Sequence, residues 1–437
     1  MAALALLAFA AGSFDARLHE TRGDPLDVMA RSSPRCTLRG RVQEPIPFGA
    51  LVRVGDLVCG DARIAGGVVM QPQLEASSGA EIEGTGWLLA LGSDSYAQAL
   101  RRSGASAEFH SIDVKVGGIG SPLFRLADDI RVALRASASR LGGDEAALLE
   151  GIAIGDTRDF SATTLDDFRR AGLSHLLAVS GENLAMLMGA VAVVVYRLAR
   201  RTRLAVMAIA AGLFLLVVGP QPSILRAAVM AAIALGAMAS GRSADPFVAL
   251  GAAIVVVIAL RPGLVASAGL QLSVAATCGI VVWTSRLAGR LSMLPRPVAL
   301  GLAATLSAQI AVAPVLVGVF GQLSLTGAIA NLLALPAVPA GTVLGLAAGA
   351  IGLTSGAVAG ALVAAARPFL AWILGVASTF GRPSWAAISL PNWMGWPLGV
   401  LVLGWILWGL HPRDAPGPLS LDRWRSLGSS NPRTESH

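Results

Sequence analysis

Four polar side chains crowd the segment GLSHLLAVSGEN, residues 172–183: His175, Ser180, Glu182 and Asn183. They stand at the head of an apolar run, HLLAVSGENLAMLMGAVAVVVY, long enough to enter a bilayer. Ionisable groups at membrane depth are costly, and where they persist they face a bundle interior or a water-filled cavity. Three kinds of chemistry suit such residues: nucleophilic catalysis, metal ligation, and passage of a polar substrate. A helix start that is merely polar is the plain alternative.

Catalysis fails on spacing. A Ser-Gly pair near a His suggests an intramembrane serine hydrolase, in which a His on another helix activates the Ser. The remaining histidines, His19, His110, His411 and His437, lie outside the confident apolar spans. His175 comes five positions before Ser180, about 500° around a helix, so the two face apart on an unbroken one. AVSGE is not a G-x-S-x-G elbow. Neither H-E-x-x-H nor a paired C-x-x-C occurs, and with Lys115 the only lysine there is no phosphate loop. The expectation is a channel or transporter with no cofactor and no bound metal, lacking nuclease, ATPase or protease activity.

Passage remains. On a continuous helix His175 and Glu182, seven apart, share a face two turns from each other. The expected path joins His175, Ser180, Glu182 and Asn183 to Arg226, Gln271, Gln309 and Asn331, single polar residues on other apolar runs.

The elements that must position these residues follow from composition. Of 437 residues, 54% are hydrophobic and 14% charged, with a mean hydropathy of +0.66. Soluble domains carry about 25% charged residues, so the chain reads as a polytopic all-α membrane protein. The apolar runs are rich in Ala, Gly, Leu and Val, which suits close helix packing through small residues. Candidate spans are 175–196, 204–218, 223–239, 246–260, 264–283, 298–319, 325–352, 356–380 and 397–410, about nine or ten in all with some broken by Pro or Gly.

Charge divides the chain in two. Residues 1–174 hold 22 Asp and Glu against 18 Lys and Arg, whereas residues 175–410 hold twelve Arg and only Glu182 and Asp245 as carboxylates. The Arg-rich links alternate with uncharged ones: Arg197, Arg200, Arg201 and Arg203 precede GPQPS, and Arg286, Arg290 and Arg296 precede FGQLS. By the positive-inside rule the Arg-rich links and the C-terminus are cytoplasmic. An Arg-rich, acid-poor body also suits an anionic substrate, since guanidinium is the better fork for phosphate.

Before the body, residues 34–116 carry short β-prone runs punctuated by Gly, Pro and Asp. They predict a small all-β domain of OB-like form, a scaffold often used for single-stranded nucleic acid. Its candidate stacking aromatics are few: Phe48, Trp87, Tyr96 and Phe109. On the positive-inside orientation this domain is extracytoplasmic, so a Cys36–Cys59 disulfide is chemically allowed, while Cys278 sits in an apolar span. Residues 123–172 predict amphipathic, interface-lying helices. Residues 1–14 form a short apolar segment or a truncated span, and 411–437 a disordered cytoplasmic tail.

Four blocks in order resemble the ComEC family: ALLEGIAIGD followed by FRRAGLSHLLAVSGEN, PSILRAAVMA (222–231), RPGLVASAGLQLSVAATCGI (261–280) and AQIAVAPVLVGVFGQLSLTGAIANLLALP (308–336). With the β domain the likeness covers residues 34 to about 350, and residues 173–410 would be the membrane competence domain. It implies a bacterial inner-membrane protein that transports single-stranded DNA into the cytoplasm during natural competence. The implied partners are single-stranded DNA, the lipid bilayer, and other competence proteins: a DNA receptor, a cytoplasmic ATPase or helicase, and a separate nuclease. Homo-oligomerisation stays open. Family members often carry SGLH where this chain has Ser180-Gly181-Glu182-Asn183, and many append a metallo-β-lactamase-like domain that is not expected here. Two other readings stay open: a polytopic transporter for another anionic or lipid-linked substrate, and a degenerate scaffold that transports nothing.

Overall fold

The computed structural model describes residues 25–409 except 47–48, 75, 77–78, 93–96, 98–99, 102–103, 120, 178, 220, 243–244 and 261–267. The apolar segment 1–14, the tail 411–437, and Phe48, Tyr96 and Arg261 lie outside the described residues.

A short helix, α1 (Pro25–Ala30), precedes six strands: β1 (Arg35–Ile46), β2 (Gly49–Cys59), β3 (Ala62–Ile64), β4 (Val68–Pro72), β5 (Ala80–Ala90) and β6 (Ala107–Ile119). The sheet order is β1-β5-β6-β4-β2-β3, and β2 also pairs with β1, so five strands close into a small barrel with β3 extending one edge. All pairings are antiparallel except β4 with β6. Such a closed ring of mixed pairing is the Greek-key barrel expected for an OB-like domain. Alternation drives it: along β5, burial switches at nearly every residue, sending Ile82 and Leu88 inward and Glu81, Glu83 and Trp87 outward. Leu38, Val42, Val52, Leu57, Val69 and Phe109 complete the interior. Phe109 is therefore core, not a surface aromatic, whereas Trp87 is 46% exposed. Cys36 on β1 and Cys59 on β2 form a disulfide.

A second, smaller core lies outside the barrel. Leu51 and Met70, on the opposite faces of β2 and β4 from Val52 and Val69, pack with Leu91, Ala97, Leu100 and Ala105 from the β5–β6 connection. The connection thus covers the β2–β4 face.

The helices follow: α2 (Pro122–Ala138), α3 (Gly143–Ile154), α4 (Ala162–Arg170), α5 (Ser174–Leu177), α6 (Gly181–Val194), α7 (Arg200–Val218), α8 (Pro222–Ala239), α9 (Pro246–Leu260), α10 (Ala268–Arg290), α11 (Arg296–Phe320), α12 (Gly327–Ala334), α13 (Val338–Gly352), α14 (Gly356–Gly381) and α15 (Gly395–Gly409). Two three-residue strands, β7 (Gln322–Ser324) and β8 (Ala387–Ser389), pair beyond the ends of α11 and α14.

Not all of the predicted spans have equal standing. Among the described residues, α7, α10, α11 and α14 are long and apolar enough to cross a bilayer, and α12 with α13 adds a fifth, bent by 51°. α6, α8 and α9 are shorter apolar helices. Hydropathy detects apolar content, but the chain spends part of it on helices that are short or broken.

The predicted interfacial stretch also divides. α2 buries Ala127, Ile130 and Leu134 and leaves Leu123, Leu126 and Val132 exposed. α3 differs: from Ala147 to Ile154 every residue is buried. A helix apolar all round belongs in a core, and α3 sits in the largest one, against α13 and α14. Its seat is cut by glycines. A Cβ on Gly341 or Gly345 of α13 would come within 2.8 Å of Ile152 Cδ1 or Leu149 Cδ1 of α3, and one on Gly349 within 3.1 Å of the Ile130 carbonyl of the neighbouring α2. Small residues every fourth position let helix backbones approach.

Candidate functional site

The polar residues of the opening segment sit at a break. α5 ends at Leu177 and α6 starts at Gly181, so residues 175–196 are not one helix. His175 and Glu182 accordingly do not share a helix face. The continuous-helix expectation fails because Val179 is held elsewhere: its carbonyl accepts from Ser223 Oγ (3.3 Å), and its side chain lies over Gly155. Tertiary docking of Val179 and the cap preference of Ser180, followed by the weak helix former Gly181, start a new helix there.

Each polar residue then has a local task. Ser180 is the N-cap of α6, extended in backbone, with Oγ accepting from the Glu182 amide (3.2 Å). The same hydroxyl donates to Asn183 Oδ1 (3.1 Å). Asn183, 2% exposed, donates from Nδ2 to the Ile152 carbonyl (2.7 Å). That carbonyl belongs to the last turn of α3, where backbone acceptors have no helical partner. Asn183 thus locks α6 to α3. Glu182 and His175 are exposed, and His175 Nδ1 lies 3.2 Å from the Gly172 carbonyl.

Arg226, in the second turn of α8, is the buried charge beside this lock. It is 7% exposed. Nη1 donates to Thr277 Oγ1 on α10 (2.8 Å) and approaches Met230 Sδ (3.3 Å), while Nε has no partner among the described residues. Among the described residues no carboxylate forms an ion pair with it. Nη2 faces the start of α6: a Cβ on Gly181 would lie 3.3 Å from it and 2.9 Å from Ala227 Cβ. Only glycine allows that approach. The structure therefore brings Ser180, Asn183 and Arg226 into one neighbourhood at the heads of α6 and α8.

The other expected path residues fall elsewhere. Gln309 Nε2 donates to the Ser324 carbonyl (3.0 Å), and Ser324 Oγ donates to the Arg170 carbonyl (2.8 Å). Asn331 Nδ2 donates to Thr305 Oγ1 (2.9 Å), joining α12 to α11. These bonds tie the β7 region together. Gln271 is half-buried in the first turn of α10, six residues before Thr277.

Sequence reasoning missed a second charged cluster beneath the lock. Asp156 takes Arg135 (2.9 Å) and a two-pronged contact from Arg158 (2.6 and 2.9 Å). Glu150, 7% exposed on α3, has only Arg135 Nε at 3.9 Å. Burial, then the Asp156 charge, pushes the Glu150 carboxyl up to about 7 against the pull of Arg135. Burial also pushes Asp156 up, but the bonds and charges of Arg158 and Arg135 outweigh it and hold Asp156 at about 2. A lone Glu inside ALLEGIAI was the available signal. Arg131 is likewise structural: Nε and Nη2 donate to the Val217 and Leu216 carbonyls (2.7 and 2.8 Å), capping α7 where its dipole favours a cation. No group of three or more His, Cys, Asp or Glu able to hold a metal occurs among the described residues.

The arrangement offers a shielded guanidinium, held by neutral and weak acceptors, at the junction of three helices. It is chemistry for an anion. No curated protein and no solved structure matches the chain. The family model described as competence protein matches residues 152–414, from the second half of α3 through every helix of the body. The chain belongs to the competence protein family, the family to which its ComEC-like blocks pointed.

Proposed function

We propose that this protein moves single-stranded DNA across the cytoplasmic membrane during natural competence. Family membership gives a role in DNA uptake, and the long apolar helices give a multi-pass membrane protein. The finer reading rests chiefly on Arg226. A buried guanidinium tied to a carboxylate would be spent; this one is tied to a hydroxyl and a thioether. A phosphodiester entering the body can replace those acceptors at little cost, because an anionic acceptor adds charge attraction and a two-pronged fit to the fork that a hydroxyl or thioether lacks. Conduction needs that balance, binding enough to enter and weakly enough to leave.

The barrel lies outside the cytoplasm and the Arg-rich links inside it. The protein acts with a DNA receptor, a cytoplasmic ATPase or helicase, and a separate nuclease; the other strand is degraded by that partner rather than by this chain.

Uptake of labelled DNA by cells carrying Arg226→Gln tests the reading. Uptake should fall at least tenfold at an unchanged protein level, and Arg226→Lys, a point charge without the fork, should lie between. Normal uptake by Arg226→Gln would remove the residue from the path, and a parallel loss of protein would make it a folding residue.

A further inference from the structure

The barrel carries its own nucleic-acid face, and it is not the usual one. OB barrels bind oligonucleotides on the face of their second and third main strands. Here those strands are β2 and β4, and the packing of Leu51 and Met70 under Leu91, Leu100 and Ala105 closes that face. The opposite side is open. Arg35 on β1 is paired in register with Trp87 on β5, which is paired with His110 on β6. All three are exposed, Trp87 by 46%.

Charge separates this row from its neighbours. Two steps along the same face, past Thr37 and Thr85, Arg39 is neutralised by Glu83 (2.7 Å), and the next, Arg41, by Glu81 (2.9 Å). Among the described residues Arg35 makes no ion pair, and His110 contacts Glu108 (2.9 Å). An indole beside an uncommitted guanidinium matches one nucleotide, base on the ring and phosphate on the fork.

A membrane-interface role for Trp87 fits less well. The barrel meets the helices where Gly79 approaches Phe124 of α2, about 3.0 Å from a Cβ placed there. Trp87 is seven residues further along β5 than Ala80, about 23 Å at ~3.3 Å per residue. The strand face between carries the Arg39–Glu83 and Arg41–Glu81 pairs, which no lipid tail would accept.

We infer that the Arg35–Trp87–His110 row of β1, β5 and β6 binds single-stranded nucleic acid by stacking and phosphate contact. This rests on the DNA-uptake reading for its biological sense, but its test does not. Full-length protein in nanodiscs is titrated with a labelled oligothymidylate. Trp87→Ala should weaken binding roughly ten- to a hundredfold, the range for one lost base stack. Trp87→Phe should recover most of it, and Arg35→Gln should reduce the salt dependence. Arg53→Gln, an exposed change on β2, should leave affinity within about twofold. Equal binding by parent and Trp87→Ala, or no binding by the parent, would overturn the inference while leaving uptake to be judged by gene deletion. Quenching by brominated lipid that disappears in Trp87→Ala would assign the residue to the membrane surface instead.

Discussion

Glu150 is the residue whose behaviour is easiest to check in solution. Its carboxyl lies on α3 inside the largest core, with Arg135 only at 3.9 Å because that guanidinium is committed to Asp156. Its folded value, about 7, stands above an ordinary 4.5, so the folded protein holds the proton where the unfolded chain has lost it. The resulting stability is fully present below 4.5, declines as pH rises, and is gone above about 7. Asp156 acts in the opposite sense: its contribution is present above 3.8 and lost only as pH falls toward 2. Glu150→Gln fixes the neutral form. Its melting temperature in detergent should exceed the parent's by a few degrees at pH 8 and match it near pH 5. An equal difference at both pH values would mean that the carboxylate is already paired. The residue types at 175–183 were legible as unusual, but their tasks were not. Ser180 caps locally, but Asn183 bonds a carbonyl 31 residues away, and Val179, which precedes the cap, is held by Ser223, 44 residues on; neither partner can be read from the local pattern.

Among the elements, α3 and α13 show where apolar patterning stops being informative. ALLEGIAI and GTVLGLAAG both read as bilayer or interface material, and periodicity alone does not say that one seats in the other. The glycines do, once their spacing of four is matched to a partner. Gly345→Val should force Leu149 out of its seat, costing about 1–3 kcal/mol as overpacking. Because the far end of α3 supplies the acceptor for Asn183, the head of α6 should loosen with it. Gly212→Ala on α7, where nothing lies within 4 Å, is the matched control and should be neutral or slightly stabilising. Yield and melting temperature of the purified variants report both. Equal behaviour would show that α13 and α3 are not in direct contact. The barrel, by contrast, was readable, since period-two alternation between turn residues is a local signal; its covered face was not, because Leu91 and Leu100 reach it from a connection rather than a strand.

For the whole molecule, the main expectation is orientation. Arg200, Arg201 and Arg203 open α7, Arg242 follows α8, and Arg290 and Arg296 flank the α10–α11 turn. The Arg200 guanidinium donates to the Met238 carbonyl, so the basic ends of α7 and α8 lie together. These ends should be cytoplasmic. Alkaline phosphatase fused at Gly104 should be active and at Pro416 inactive; the reverse would invert the protein and place the barrel inside the cell.

The Cys36–Cys59 bond gives that orientation a consequence for biogenesis. It closes a loop across a separation of 23 residues, which on chain-entropy grounds disfavours the unfolded barrel by about 3 kcal/mol. Thiols oxidise on the outer side of the membrane and stay reduced in the cytosol. A chain inserted the wrong way round would therefore present an unstapled barrel to cytosolic proteases, whereas a correctly inserted one locks as it emerges. On the proposed orientation the bond would act as a proofreader of topology, with only properly oriented copies keeping their full resistance to degradation.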